Sequence, residues 1–343
     1  MIEAETTRMF AEAAEAAEVV ARQATRAGPI VEALAARLRA APPTGVLTCA
    51  RGSSDHAATY AKYLIEPHAR VLVTSAAPSA VSVYGSAPGV AGMLAIGISQ
   101  SGRSPDILAT MAGARDGGAR TLAMVNAEDS PLADMADTVL PLCAGAETSV
   151  AATKSYIATL AAIARLVAAW TEDDALAGAL VALPAALREA WAADWSPLGE
   201  VLAEARGLYV VGRGPGFAVA QEAALKFKET CGLHAEAFSA AELRHGPMAL
   251  VGPGFPLLVF GQSDEAAEGV DALVAEMTAR GGDVLVAGRS VPGAITLPVA
   301  PAHPAIAPIM AIQSFYRAVN ALSVRRGFDP DRPPHLAKVT ETV

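Results

Sequence analysis

Cysteine is nearly absent from this chain. Only Cys49, Cys143 and Cys231 occur in 343 residues, an odd and widely spaced set that makes neither a disulfide framework nor a clustered zinc site, so a reducing cytoplasm is the expected compartment. Positive charge is also scarce. The 26 Lys and Arg stand against 35 Asp and Glu, a net charge of −9. Nucleic acids and anionic membrane surfaces are held by basic patches, so neither is expected as a partner, and an anionic substrate has to be met locally. The first twenty residues, MIEAETTRMFAEAAEAAEVV, lack the basic start and unbroken apolar run of a secretory signal, so no export is expected. Long apolar runs are missing too. Val71 to Gly102 and Ser290 to Tyr316 carry no Asp, Glu, Lys or Arg, but Pro78 and Pro88 interrupt the first, and Pro292, Pro298, Pro301, Pro304 and Pro308 the second. Neither reads as a lipid-buried helix.

What remains is a chain that is 52% hydrophobic and 18% charged, enough for two ordinary domains with a core each. Short apolar runs alternate with helical patterns, which is the pattern of an α/β fold with a parallel sheet. Strands are expected at Gly45 to Ala50, Val71 to Thr74, Met93 to Ile98 and Arg120 to Val125, the last completing a first sheet. Helices are expected at Asp55 to Glu66, Ser104 to Gly117 and Val150 to Trp170. Then the pattern restarts. VLTCARGSSDHAATYAKYLIE from Val46 has a counterpart in LYVVGRGPGFAVAQEAALKFKE from Leu208, each an apolar strand, an Arg-Gly turn and an amphipathic helix, with Arg51 and Arg213 162 positions apart. MLAIGISQS from Met93 answers to PLLVFGQSD from Pro256, and TLAMVN from Thr121 to DVLVAG from Asp283. Two copies of one fold follow. The expected division is an N-terminal helix over 1–28, a first domain over 29–175, a second over 195–330 and a tail over 331–343, with a Pro-bearing joint around Leu183-Pro184 and Trp195-Ser196-Pro197.

The strongest local signal is Ser99-Gln100-Ser101-Gly102-Arg103-Ser104, which leaves an apolar strand and enters a helix. Backbone N–H groups at a helix start, with the hydroxyls of Ser99, Ser101 and Ser104, can hold a phosphate without a lysine. The plain alternative is a serine-rich helix cap. Glu222, Lys226 and Glu229 recur at spacings of four and three and share one helix face, a stripe that is ordinarily solvated. Gly212-Arg213-Gly214-Pro215-Gly216 follows a strand, but its GxGxG spacing and its proline do not fit a dinucleotide site.

The SQSG turn resembles the phosphate loop of sugar isomerase (SIS) domains, and ARGSSDHAATYAKY, with Ser53 and Ser54, resembles their first substrate loop. ETSVAATKSYIATL at Glu147, EAALKFKET at Glu222, HAEAFSAAELRHGPMAL at His234 and HLAKVTETV at His335 resemble, in unchanged order, the isomerase half of glutamine:fructose-6-phosphate amidotransferases, and with it stand-alone glucosamine-6-phosphate deaminases. The resemblance implies two tandem SIS domains, each a flavodoxin-like sandwich. It implies that Ser53, Ser54, Ser99, Gln100, Ser101 and Ser104 bind the sugar phosphate, with Val150 and Ala337 close to the sugar. Ser104 stands where those enzymes usually have Thr, and keeps the hydroxyl. It implies Glu229 as the carboxylate that moves a proton between C1 and C2, His245 as the ring-opening histidine, supplied across a homodimer whose subunits share the active site, and Lys338, in an active-site tail, as the lysine at the open-chain carbonyl. No cofactor or metal is implied.

Those roles agree with the residue types. A carboxylate suits a proton shuttle between adjacent carbons, and a histidine suits acid–base work near neutrality. About 40 residues precede the first expected strand, and none of the cysteines is N-terminal, so glutamine hydrolysis is not expected of this chain. The expected reaction is glucosamine 6-phosphate and water to fructose 6-phosphate and ammonia. A fructosamine-6-phosphate deglycase, a galactosamine-6-phosphate deaminase and a non-catalytic sugar-phosphate sensor are the alternatives. DNA reading is not expected of an acidic, Ala/Glu-rich N-terminal helix.

Overall fold

A computed structural model describes residues 2–86 and 89–338. Pro88 and the end of the terminal motif, 339–343, lie outside them. The chain opens with helices α1 (Arg8–Ala14) and α2 (Ala16–Ala40), so the helix expected over 1–28 is two helices and runs further. Strands and helices then alternate as β1 (Val46–Cys49), α3 (Ser53–Ala69), β2 (Val73–Ser75), α4 (Pro78–Ser82), β3 (Leu94–Ser99), α5 (Pro105–Asp116), β4 (Arg120–Val125), α6 (Pro131–Met135) and β5 (Thr138–Pro141). The five strands form a parallel sheet in the order β2-β1-β3-β4-β5. Every residue of β1 and β3 is buried, as parallel strands covered on both faces require. Leu47, Ala95, Ala123 and Val125 of the sheet pack with Ile107 and Met111 of α5. Strand β4 does not complete this sheet. The short, proline-ended TVLP of β5 adds to its edge, and four residues without alternation give too weak a pattern to read in sequence.

Three helices follow, α7 (Lys154–Thr171), α8 (Asp174–Ala192) and α9 (Ser196–Leu202). The helix expected from Val150 starts only at Lys154, and α8 runs through Pro184. Among the described residues α8 alone is long and apolar enough to cross a membrane. Its buried Leu176, Leu180, Leu183 and Leu187 recur at spacings of four, three and four, the stripe of a helix with one covered face. The second series is β6 (Gly207–Gly212), α10 (Pro215–Cys231), β7 (His234–Ser239), β8 (Pro256–Phe260), α11 (Ala267–Ala279), β9 (Asp283–Ala287), β10 (Ile295–Leu297) and α12 (Ala307–Arg325), with a parallel sheet in the order β7-β6-β8-β9-β10.

The chain folds as two compact units. One holds the first sheet, with Glu18–Ala146 and Ala158–Leu180; the other holds the second sheet, with residues 2–17, Glu147–Ile157 and Val181–Lys338. The segment 147–157, placed by sequence reading in a first domain ending near 175, therefore groups with the second sheet. In that second unit Phe315 of α12 packs edge-on to Phe227 of α10 at 5.1 Å and to Phe260 of β8 at 6.4 Å. Asp331 seals the start of α1, accepting the Arg8 and Met9 N–H groups at 2.8 Å each, while Thr7 Oγ1 accepts that of Phe10.

The two sheets share one strand order, and the likeness extends to single dihedrals. Helices α3 and α10 each have 17 residues. Gly52 precedes α3 at φ 54°, ψ −131°, and Gly214 precedes α10 at φ 54°, ψ −135°. Both helices end on a left-handed residue, Arg70 and Gly232. A side chain at Gly52 or Gly214 would meet open space, so glycine is required there by the backbone alone. Gly52→Ala and Gly214→Ala are each expected to cost about 1–3 kcal/mol by the same conformational strain, seen as lowered midpoints in urea unfolding followed by circular dichroism.

Candidate active site

The chain leaves β1 toward β2 on one side and enters β3 on the other, so the loops at the carboxyl ends of β1 and β3 border the switch point of the first sheet, where open α/β sheets bind ligands. Both predicted phosphate-binding segments are there. Ser53 and Ser54 begin α3 and are half-buried. Ser99 ends β3 and is buried, while Gln100, Ser101 and Ser104 are half-buried in the loop to α5. The loop is pinned from behind: Ser99 Oγ accepts the Gly102 N–H at 3.0 Å, the Gln100 carbonyl accepts the Ala127 N–H, and the Gly102 carbonyl accepts the Leu132 N–H. Gly102 sits at φ 63°, and a Cβ there would lie 2.2 Å from Ser130 Oγ, so both conformation and space demand glycine. Ser104 occupies the capping position of α5, yet its side chain makes no capping bond. The serine-cap alternative therefore does not account for Ser104.

Two further side chains tie these loops together. Arg51, from the loop after β1, places Nε 2.8 Å and Nη2 2.7 Å from Asp106 Oδ2 in the first turn of α5. Asp106 is fully buried and Arg51 half exposed.

The second unit holds a different chemistry on α10. Sequence reading leaves Glu222, Lys226 and Glu229 on a face that would ordinarily be solvated; the structure buries it. Glu222 is 0% and Lys226 1% exposed. Lys226 Nζ lies 3.4 Å from Glu222 Oε1 and donates to Glu229 Oε2 at 2.5 Å. Tyr316 donates its hydroxyl to Glu222 at 3.1 Å. Burial pulls the Lys226 pKa down, but the charges of Glu222 and Glu229 and the hydrogen bonds to them outweigh it and hold the pKa up at about 12. Burial, with Glu222 beside it, keeps the Tyr316 phenol neutral far above its ordinary range. Glu229, with 20% of its side chain exposed, is the open end of this network.

A second carboxylate system sits in the segment 147–157. Glu147 has a fully buried side chain and accepts the N–H groups of Thr153 and Ser155 at 2.9 and 3.1 Å and the Ser155 hydroxyl at 2.5 Å, which closes the start of α7. Lys338 Nζ lies 3.5 Å from Glu147 Oε2. Glu12 of α1 grips the same segment from another side, accepting from the backbone and hydroxyl of both Thr148 and Ser149. Burial raises the Glu12 pKa, but those hydrogen bonds, led by the Ser149 hydroxyl, bring it below its ordinary value. The half-buried Val150 is thereby held in a fixed backbone. Lys154, with 3% of its side chain exposed, pairs with Glu15 at 2.6 Å.

Thus Glu229 joins Lys226 and Glu222, and Lys338 joins Glu147 near Val150. His245 stands apart. It is exposed, at the end of a 3-10 turn, Glu242–His245, that follows β7. Ala337 is exposed beside Lys338. Glu12, Asp106, Ser130 and Tyr316 have no signature in sequence, because their partners are distant along the chain; Arg51 enters the sequence reading only as a marker of the repeat. No group of three His, Cys, Asp or Glu placed to hold a metal occurs among the described residues.

The SIS domain profile matches residues 44–169 and again 201–324. The chain belongs to the SIS domain family. It is similar to the glutamine–fructose-6-phosphate aminotransferase of Zymomonas mobilis, 36% identical over 313 residues that make up 85% of this chain and 51% of that protein. It is similar also to that of Aeropyrum pernix, 36% identical over 85% of this chain and 50% of that protein. This SIS chain thus spans about half the length of those relatives. Among solved structures, a proposed phosphosugar isomerase from Silicibacter pomeroyi superposes with a TM-score of 0.91 at 40% identity, covering 95% of this chain and 100% of the other. The C-terminal domain of glucosamine-fructose-6-phosphate aminotransferase from Francisella tularensis does so with a TM-score of 0.86 at 25% identity, covering 96% and 98%.

In this SIS protein the buried lysine makes a prediction of its own. The folded-state pKa of Lys226, about 12, exceeds its ordinary value of 10.5, so its contribution to stability is complete below pH 10.5 and is lost as pH rises toward 12. Lys226→Met, which strands two carboxylates, should lower stability by about 3–5 kcal/mol at neutral pH. The gap between wild type and variant should narrow between pH 10.5 and 12, measured as urea midpoints across that range.

Proposed function

We propose that this SIS protein is a glucosamine-6-phosphate deaminase, converting glucosamine 6-phosphate and water to fructose 6-phosphate and ammonia. The observation that carries the reading is Glu229: a partly exposed carboxylate held by a buried lysine that keeps its charge at neutral pH. A proton shuttle needs a base that is fixed in place and still open to substrate. Glu222, which shares the same lysine, is sealed from solvent and bonded to Tyr316, so it holds the shuttle in place. The loop from Ser99 to Ser104 supports a phosphate on the substrate, and the resemblance of the chain to aminotransferases of fructose 6-phosphate supports an amino sugar.

In this scheme His245 opens the sugar ring and Lys338 faces the C1 carbonyl of the open chain. Glu229 takes the proton from C2 and returns it to C1, leaving an imine at C2 that water hydrolyses to the ketone and ammonia. Hydrolysis of that imine frees the ammonia, and none of the three thiols in this sequence is poised as a nucleophile. Cys49, Cys143 and Cys231 are all buried, and burial pushes the Cys49 thiol up to about 12 and that of Cys231 to about 11. The exposed position of His245 supports a role in the site of a second copy, so the enzyme is proposed to be a homodimer.

The purified protein is expected to release ammonia from glucosamine 6-phosphate with no glutamine, metal or nucleotide added, in a coupled ammonia assay. Turnover of galactosamine 6-phosphate or of a fructosamine 6-phosphate alone would reassign the substrate, and binding without turnover of any of them would make the protein a sensor. Ser101→Ala should raise KM by removing a charged hydrogen bond, an effect of about 1.5–3 kcal/mol. Glu229→Gln should lower kcat by about 10² to 10⁴ with affinity for a substrate analogue retained; full activity in that variant sinks the assignment. Mixing inactive Glu229→Gln with inactive His245→Ala should restore activity if the histidine acts across subunits, and no recovery would place it within one chain.

A further inference from the structure

The first turn of α5 contains a charge that opposes a phosphate. Asp106, its second residue, is 0% exposed, and Oδ1 accepts the N–H of Ile107 at 2.8 Å. A helix start attracts anions through its unsatisfied N–H groups. Here a resident carboxylate already uses one of them, and Pro105, at the preceding position, has none to offer. An unpaired buried carboxylate repels a second anion in the same turn. Arg51 alters that balance, because its Nε and Nη2 both reach Asp106 Oδ2.

The second copy lacks this arrangement. Position 268, which corresponds to 106 across the repeat, is an exposed Glu. Arg213, the counterpart of Arg51, donates to Ser239 Oγ at 3.1 Å. Leu257 pairs with Tyr209 as Ala95 pairs with Leu47, so the strand register sets the offset here at 162 rather than the 163 between Met93 and Pro256, and Asp264 and Glu265 stand where the first copy has Gly102 and Arg103. The pairing of a buried acid with an arginine from the neighbouring loop thus accompanies the serine-rich loop in one copy and is missing where that loop has turned acidic.

We propose that Arg51 is the positioning residue of the phosphate site: by neutralising Asp106, it makes residues 99–104 able to accept the phosphate of the substrate. The proposal rests on the reading of a sugar-phosphate substrate given above. It is tested by calorimetric titration with glucosamine 6-phosphate, beside steady-state kinetics, on wild type, Arg51→Met, Asp106→Asn and the double variant. Arg51→Met should bind about tenfold or more weakly and raise KM to match, with kcat within about threefold. Adding Asp106→Asn to it should restore affinity to within about threefold of wild type, a coupling that only an electrostatic role through Asp106 produces. Arg51→Lys, which keeps the charge, should remain near wild type and guards against a variant that fails to fold. Wild-type affinity in Arg51→Met, or a double variant no tighter than the single one, overturns the proposal while leaving the function standing. A wild type that binds no sugar phosphate overturns the functional reading, and the proposal with it.

Discussion

Lys226 is the interaction on which the second unit turns. Two charges on one face of α10, Glu222 and Lys226, are withdrawn from water and a third, Glu229, partly so, and burial alone would pull the pKa of an ammonium there down. Two carboxylates prevent that, Glu222 at the closed end and Glu229 at the open end, and Tyr316 satisfies a lone pair of the inner one. Such a group adds little to net stability against an apolar alternative of the same shape, and removing one member is severe. What it supplies is fixation. Glu229 cannot swing away from Lys226 without stranding a buried cation, so a side chain that would otherwise be mobile keeps one position.

The segment around Val150 follows the same logic with different parts. Glu147 and Glu12 are each saturated by backbone N–H groups and hydroxyls of the segment 148–155, and both are buried. A loop held by two carboxylates has few alternative conformations, since every one of them would leave charge unsatisfied away from water. In the first unit the devices are Gly102, which admits Ser130 against the loop, and the Arg51 pair with Asp106. In each of these three places local contacts are joined by one from far along the chain: Tyr316 to Glu222, Glu12 to Ser149 and Arg51 to Asp106.

The two sheets show how far a repeat can drift while its frame stays put. Strand order, helix length and the dihedrals of Gly52 and Gly214 agree between copies. Loops at the carboxyl ends do not: Gly102-Arg103 in one copy answers to Asp264-Glu265 in the other. Packing constrains the frame at every buried position, whereas the loops answer only to their ligands.

The alternation of apolar runs and amphipathic helices, the repeat of 162 positions, and the class of the fold were determined by sequence alone, because they depend on local periodicity and on burial that every residue of a strand reports. The serine loop stood out as a motif, and Glu229 and Lys338 were named only through the resemblance to SIS enzymes, while β5 was not legible, being too short to show a period. Whether Glu222, Lys226 and Glu229 face water or the core was decided only by tertiary structure, since a helical stripe of charges looks the same in both cases until α12 brings Tyr316 against it. The partnerships of Glu12 with Ser149 and of Arg51 with Asp106 were decided there as well. A carboxylate and a hydroxyl 137 positions apart, and two opposite charges 55 positions apart, are matched by folding, and the low dielectric of the interior gives those matches their force.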